Sequence, residues 1–191
     1  MKKVVLIAMV ITGSLILQGC VAAFLGAGAG VAKVATDPRT TGTQVDDTTL
    51  DSRISVRLKD ESDYFKGSRI VASAYDGNVL LIGQAKSQAV IDRAFELVQS
   101  VDGVKKIYNK IQVGKIISAG AMTDDAWITT KVKSSLIANK QTKARDIKVI
   151  TEDGQVFLIG MVTAEDGRLA ADIASKVSGV KLVTTIFTYI N

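Results

Sequence analysis

The chain has 191 residues, with 24 Lys and Arg against 19 Asp and Glu for a formal net charge of +5, and it contains no histidine and one cysteine. These counts exclude Ser-His-Asp and Cys-His catalysis, histidine metal sites, an intrachain disulfide and any CxxC or zinc-knuckle arrangement. With 47% hydrophobic and 23% charged residues the chain can bury a core, and its length suits one or two small domains.

Met1-Lys2-Lys3 is a short positive region, followed by an apolar run from Val4 to Leu17 and then by Leu17-Gln18-Gly19-Cys20. A positive start, an apolar middle and small residues at the end form the pattern of a secretory signal, here residues 1–19. The run is shorter than the roughly 20 residues a transmembrane helix needs. Its last four residues resemble a bacterial lipobox, in which Cys20 is lipidated and becomes the mature N-terminus, although Gln18 is less usual there than Ala or Ser. Several acyl chains, at about 0.8 kcal/mol per buried CH2, would anchor such a protein stably. Lipoproteins of this kind are held in the inner membrane by an Asp after the cysteine. Val21 stands there instead, which implies the outer membrane and its periplasmic face. Loss of residues 1–19 takes Lys2 and Lys3 with it and leaves a chain of net charge +3. Residues 20–45, rich in Ala, Gly and Thr and holding the only proline, Pro38, read as a tether.

The remainder is one unit written twice, as residues 46–114 and 115–191. Asp76-Gly77-Asn78-Val79-Leu80-Leu81-Ile82-Gly83 returns as Asp153-Gly154-Gln155-Val156-Phe157-Leu158-Ile159-Gly160, and Val101-Asp102-Gly103-Val104 returns as Val177-Ser178-Gly179-Val180. Asp47, Leu50, Ile54 and Leu58 share their spacing with Asp125, Ile128, Val132 and Leu136. Each copy predicts an amphipathic helix N-capped by an Asp, then a strand (Ile70 to Ala74 or Ile147 to Thr151) and an Asp-Gly hairpin turn. An apolar strand follows, broken by its closing Gly before a second helix. That helix uses Val90, Ile91, Ala94, Leu97 and Val98, or Leu169, Ala170, Ile173, Ala174 and Val177. A Gly-Val turn leads to a last strand, Val104 to Val113 or Val180 to Ile190. The predicted class is α+β: two tandem αββαβ modules, each a small three-stranded sheet covered by two helices. At about 70 residues each copy has a modest core, which makes packing between the copies plausible.

The Asp-x-x-Ile starts, Asp-Gly hairpins, Val-x-Leu-x-Gly strands and Gly-Val turns resemble the BON domain over residues 46 to 191. With the lipobox in front, the chain resembles the dual-BON lipoproteins associated with cell division and outer-membrane stress. That resemblance implies anionic phospholipid binding through the second domain, in support of envelope integrity.

The residues of the second copy fit that implication. From Ala126 to Arg145 lie Lys131, Lys133, Lys140, Lys143 and Arg145 with no acidic residue between them, whereas the equivalent stretch of the first copy includes Asp51, Asp60, Glu61 and Asp63. Basic residues attract an anionic surface when no acidic neighbour cancels them. The only tryptophan, Trp127, stands where the first copy has Thr49. At 100° per residue, Ile128, Val132, Ser135 and Leu136 form the packing face. Trp127 then lies on the opposite side with Thr130, Lys131, Ser134, Ile137 and Ala138. Trp, with an apolar ring and a polar N–H, suits a headgroup boundary. These residues, with Lys133, are the candidate phospholipid-binding set; a contact between Trp127 and the first module is the competing reading. An alternative partner is an envelope assembly or cell-wall regulatory protein.

Asp124 and Asp125 point differently on a helix, and N-capping accounts for Asp125. Lys105 and Lys106 read as solvent-facing or edge-protecting, and Tyr75, Tyr108 and Tyr189 as sheet packing. No nucleophile–base pair, metal-ligand cluster or cofactor loop is present, so neither catalysis nor a cofactor is expected. Nucleic acid is not an expected partner, since an exported lipoprotein does not meet it and one aromatic is not a stacking platform.

Overall fold

The Asp-Gly pairs of the two copies set the local geometry first. Asp76 (φ 49°) and Gly77 (φ 71°), and likewise Asp153 (φ 48°) and Gly154 (φ 72°), all lie in the left-handed region. Two consecutive left-handed residues make the turn whose twist matches an antiparallel hairpin. In the computed structural model, which describes residues 39–191, the chain follows the expected αββαβ order twice. The signal, Cys20 and the tether up to residue 38 lie outside the described residues.

The first module comprises α1 (Thr41–Asp60), β1 (Arg69–Tyr75), β2 (Asn78–Ala85), α2 (Gln88–Gln99) and β3 (Lys106–Val113). The second comprises α3 (Ala119–Ala138), a 3-10 turn (Ala144–Asp146), β4 (Ile147–Glu152), β5 (Gln155–Val162), α4 (Ala164–Ser175) and β6 (Leu182–Tyr189). Each sheet has three strands, with the middle one antiparallel to the first and parallel to the last. The helices cover one face of each sheet. Leu50, Ile54, Val90, Ala94 and Val98 close the first core, and Ile128, Val132, Leu136, Ala170 and Ala174 the second.

Three local expectations are corrected. α1 and α3 each begin six residues before the repeated aspartate, capped by the Thr40 and Ser118 hydroxyls, which accept from Thr43 and Ala121 N–H at 3.1 Å. Asp47 and Asp125 are therefore buried mid-helix residues and not N-caps. For the same reason residues 41–45, expected in the tether, are helical. Gly83 and Gly160 do not break their strands, which run on to Ala85 and Val162. They are small because a Cβ there would lie 1.9 Å from the Arg69 carbonyl oxygen and 2.2 Å from that of Asp146.

The faces of the sheets opposite the helices pack on each other. Tyr75, Leu80 and Ile82 of the first module meet Phe157, Ile159 and Ile186 of the second in one buried cluster, with Val71, Tyr108, Ile150 and Met161 around it. Burial on both faces explains why Val79–Ile82 and Val156–Ile159 read as continuous apolar runs rather than alternating ones. Polar contacts frame the cluster. Arg69 Nη1 donates to both Glu152 oxygens at 2.5 and 2.6 Å, Gln84 Nε2 to Glu152 Oε1 at 2.9 Å, and Lys148 Nζ to the Ala74 carbonyl at 3.1 Å.

Candidate functional site

The amphipathic period of α3 decides what the second module shows to its surroundings. Ile128, Val132 and Leu136 are buried on the sheet, as their spacing requires. The opposite face stays uncovered: Trp127 is 64% exposed and Ile137 is 71% exposed. Ten residues separate them, or about 15 Å along the helix axis. Thr130 and Ser134 lie between them and Ala138 beside them, all exposed, as is Lys133 on the flank. Trp127 takes no part in the inter-module cluster, which is built by the sheets. Its 64% exposure does not favour the competing reading of Trp127 as a contact between modules.

A shallow groove runs along this face between α3 and the end of α4. Trp127, Thr130, Lys131 and Ser134 line one side, and Ile173, Lys176, Val177 and Ser178 the other. Lys131 is half-buried and spans the groove, its ammonium donating to the Ser178 carbonyl. Lys131 therefore braces the groove, while Lys133, Lys140 and Arg145 are exposed. Lys143 lies 3.8 Å from Asp166 and Lys176 lies 2.6 Å from Asp172. Of the five basic residues read from the sequence, three thus present charge outward without an ion pair among those found in the described residues.

The equivalent face of α1 is chemically different. Thr49 stands for Trp127, and Lys59-Asp60 for Ile137-Ala138. Arg93 of α2 pairs with Glu61 and, at 3.3 Å, with Glu96. The guanidinium holds the Glu61 carboxyl below the usual range, so both charges are spent locally. The first module keeps a counterpart groove, lined by Arg53, Val56 and Arg57 of α1 with Val56 57% exposed, but it has Thr49 in place of Trp127 and Asp102 in its lining where the second module has Ser178.

The two modules also share a buried carboxylate motif that the sequence concealed. Asp47 accepts from the N–H of Asp76 at 2.6 Å and of Gly77 at 2.9 Å. Asp125 accepts from Asp153 at 2.8 Å and Gly154 at 2.7 Å. Lys105 and Lys181 then pair with the turn aspartates Asp76 and Asp153 at 2.9 and 2.8 Å, so Lys105 is a turn brace. Lys106 is exposed and lies over the Tyr108 ring at 4.7 Å. In the first module Asp47 also takes Arg39, at 2.5 Å, and that guanidinium stacks 3.9 Å from the Tyr75 ring centre. Asp124 is exposed, and it and Asp125 form no paired site. Tyr75 is buried and Tyr108 half-buried in the sheet contact, as expected for packing, whereas Tyr189 is 59% exposed.

Comparison with known proteins agrees with this architecture. The BON domain model matches residues 46–115 and 124–191. The chain is 46% identical over 185 residues to the outer membrane lipoprotein DolP of Haemophilus influenzae, across 97% of this chain and 96% of that protein. It is 43% identical over 154 residues to the 21 kDa hemolysin of Actinobacillus pleuropneumoniae, across 81% and 79% of the two chains. It is 31% identical over 154 residues to the osmotically-inducible protein Y of Escherichia coli, across 79% and 76%. The matched stretches coincide with the two αββαβ modules, and the chain belongs to the BON domain family, with two copies of the domain in tandem.

Proposed function

We propose that this chain is a lipid-anchored protein of the outer membrane, facing the periplasm, whose second BON domain docks α3 on anionic phospholipid. In this role it supports envelope integrity and division-linked maintenance. The observation that carries the reading is the pairing of Trp127 and Ile137 at 64% and 71% exposure on a helix face with Lys131 in its groove and exposed Lys133 on its flank. An exposed Trp and an exposed aliphatic residue are costly in water and favourable at a headgroup boundary. Attachment then has two signals. Acyl chains on Cys20 hold the N-terminus, and the α3 face orients the second domain and favours anionic lipid, at about 1 kcal/mol per Lys or Arg near the surface. The protein binds and positions; it does not catalyse. The full relationship to the Haemophilus influenzae lipoprotein, end to end, supports the location.

Trp127 is the chain's only tryptophan, so its fluorescence reports this face alone. A chain of residues 21–191, without the signal and Cys20, carries neither the apolar run nor an acyl anchor, so its membrane binding reports α3. Its emission should shift to the blue with vesicles containing phosphatidylglycerol and stay unchanged with pure phosphatidylcholine. Flotation with the anionic vesicles should be lost on Trp127→Glu. Equal flotation of both variants, or indifference to anionic content, would overturn the reading.

A further inference from the structure

The two sheets expose four edge strands, and copies of one unit manage those edges differently. β1 carries Arg69, β3 carries Lys106 and Lys110, and β4 carries Lys148 and Glu152, whereas β6 carries no charged residue from Leu182 to Tyr189. Charges on an edge strand oppose pairing with another chain. Two edges are also capped. Asp51 Oδ1 takes the Ala74 N–H of β1 at 2.6 Å, and Asn109 Oδ1 takes the Ile111 N–H of β3 at 3.1 Å. At the positions of β6 equivalent to Asn109 and Lys110 stand Thr185 and Ile186. The edge defended in the first module is undefended in the second.

The backbone phase of β6 follows from its pairing. Ile190 N–H donates to the Val162 carbonyl at 3.0 Å, and the ladder pairs Gln155 with Leu182 through Val162 with Tyr189. Even-numbered residues therefore turn their N–H and C=O toward β5, and Val183, Thr185, Phe187 and Tyr189 turn theirs outward. Leu182, Thr185, Thr188 and Tyr189 are exposed.

We propose that β6 pairs antiparallel with β6 of a second copy of this chain, about a two-fold axis at Ile186, so that two three-stranded sheets become one. In that register all the outward N–H groups find carbonyl partners, because Val183 meets Tyr189 and Thr185 meets Phe187. The intervening pairs are Thr184 with Thr188, Leu182 with Ile190, and Ile186 with itself. Apolar, aromatic and Thr pairs across strands are each favourable, and no charge faces a charge. The same register on β3 would set Lys110 against Lys110, which is destabilising. An isologous contact of this kind closes as a dimer rather than growing into a fibre. A two-fold axis normal to the joined sheet keeps both sets of helices on one side, so both α3 faces point the same way. The dimer itself does not depend on what α3 binds.

The test uses the full chain in its own membrane. Thr184 and Thr188 form a pair without hydrogen bonds between the two copies, with Cα atoms about 4.5 Å apart, within reach of a disulfide. The double variant Thr184→Cys, Thr188→Cys should give a covalent dimer on mild oxidation. Neither single variant should, because each residue faces the other and not itself. Adding Thr185→Lys should abolish the cross-link. In detergent, sedimentation equilibrium of the unaltered chain should give the dimer mass and Thr185→Lys the monomer mass, with unchanged far-UV circular dichroism. A monomeric unaltered chain, no cross-link from the double variant, equal cross-linking by the singles, insensitivity to Thr185→Lys, or cross-linking to a different protein would each overturn the proposal.

Discussion

Gly77 donates its backbone N–H to Asp47 Oδ1 at 2.9 Å, although the two residues are 30 positions apart, and Gly154 repeats the bond to Asp125 at 2.7 Å. Each carboxylate ties the middle of the first helix to the tip of its hairpin. Charge-assisted hydrogen bonds of this kind contribute about 1.5–3 kcal/mol, and their loss leaves buried N–H groups without a partner. Asp125→Ala should therefore destabilise the protein by about 3 kcal/mol in urea unfolding. Asp124→Ala, one residue away and exposed, should stay within about 0.5 kcal/mol of the parent.

Glu152 is the polar counterpart of the sheet-to-sheet cluster. It is buried, and it holds Arg69 and Gln84 of the other module. Removing one partner of a buried pair leaves the other uncompensated, at roughly 3–5 kcal/mol when burial is complete. The Arg69 side chain is 30% exposed, which lowers the expected cost of Glu152→Ala to about 2 kcal/mol. A double-mutant cycle with Arg69→Ala should show non-additive unfolding free energies; additive effects would mean the modules are not coupled through this pair.

Asp51 gives stability a pH dependence. Burial pushes its carboxyl up, against the Ala74 N–H and the nearby Lys148 and Arg39, which pull it down. The folded state thus holds this proton more tightly than the unfolded chain. The associated stability is fully present below about pH 4, the ordinary Asp range, and is lost as pH rises through the raised folded value. Asp51→Asn keeps an oxygen for Ala74 and cannot ionise. Its denaturant midpoint should fall less than the parent's between pH 4 and pH 7, and an equal fall would remove Asp51 from the account.

The basic residues of the second module should not weigh equally in lipid binding. Lys133 and Lys140 are exposed, and each change to Gln should weaken binding to anionic vesicles by about fivefold, equivalent to roughly 1 kcal/mol. Lys131 already donates to the Ser178 carbonyl, so Lys131→Gln should cost less affinity and lower the thermal midpoint instead. Vesicle titrations at two salt concentrations would separate these effects, because long-range charge attraction weakens with salt.

The sequence by itself determined the duplication, the α+β order of each module, the hairpin turns and the face of α3 that carries Trp127. Each of these is a local property: periods of 2 and 3.6, an Asp-Gly pair, and a pattern returning some 77 residues later are all written along one dimension. Only the tertiary structure decided which polar residues have partners and which sheet faces are covered. Asp47 and Asp125 looked like helix caps because a carboxylate near a helix start usually is one. Their partners lie about 30 residues onward, where only folding brings the hairpin. Gly83 and Gly160 looked like strand breakers, but it is the neighbouring carbonyl that forbids a side chain there. The apolar runs of β2 and β5 hinted at burial on both faces without saying against what. The answer, the other copy, depends on how two sheets of matching twist and shape meet, which no period in the sequence encodes. Packing of sheet on sheet also leaves α3 uncovered, so the exposure of Trp127 is a consequence of where the modules join.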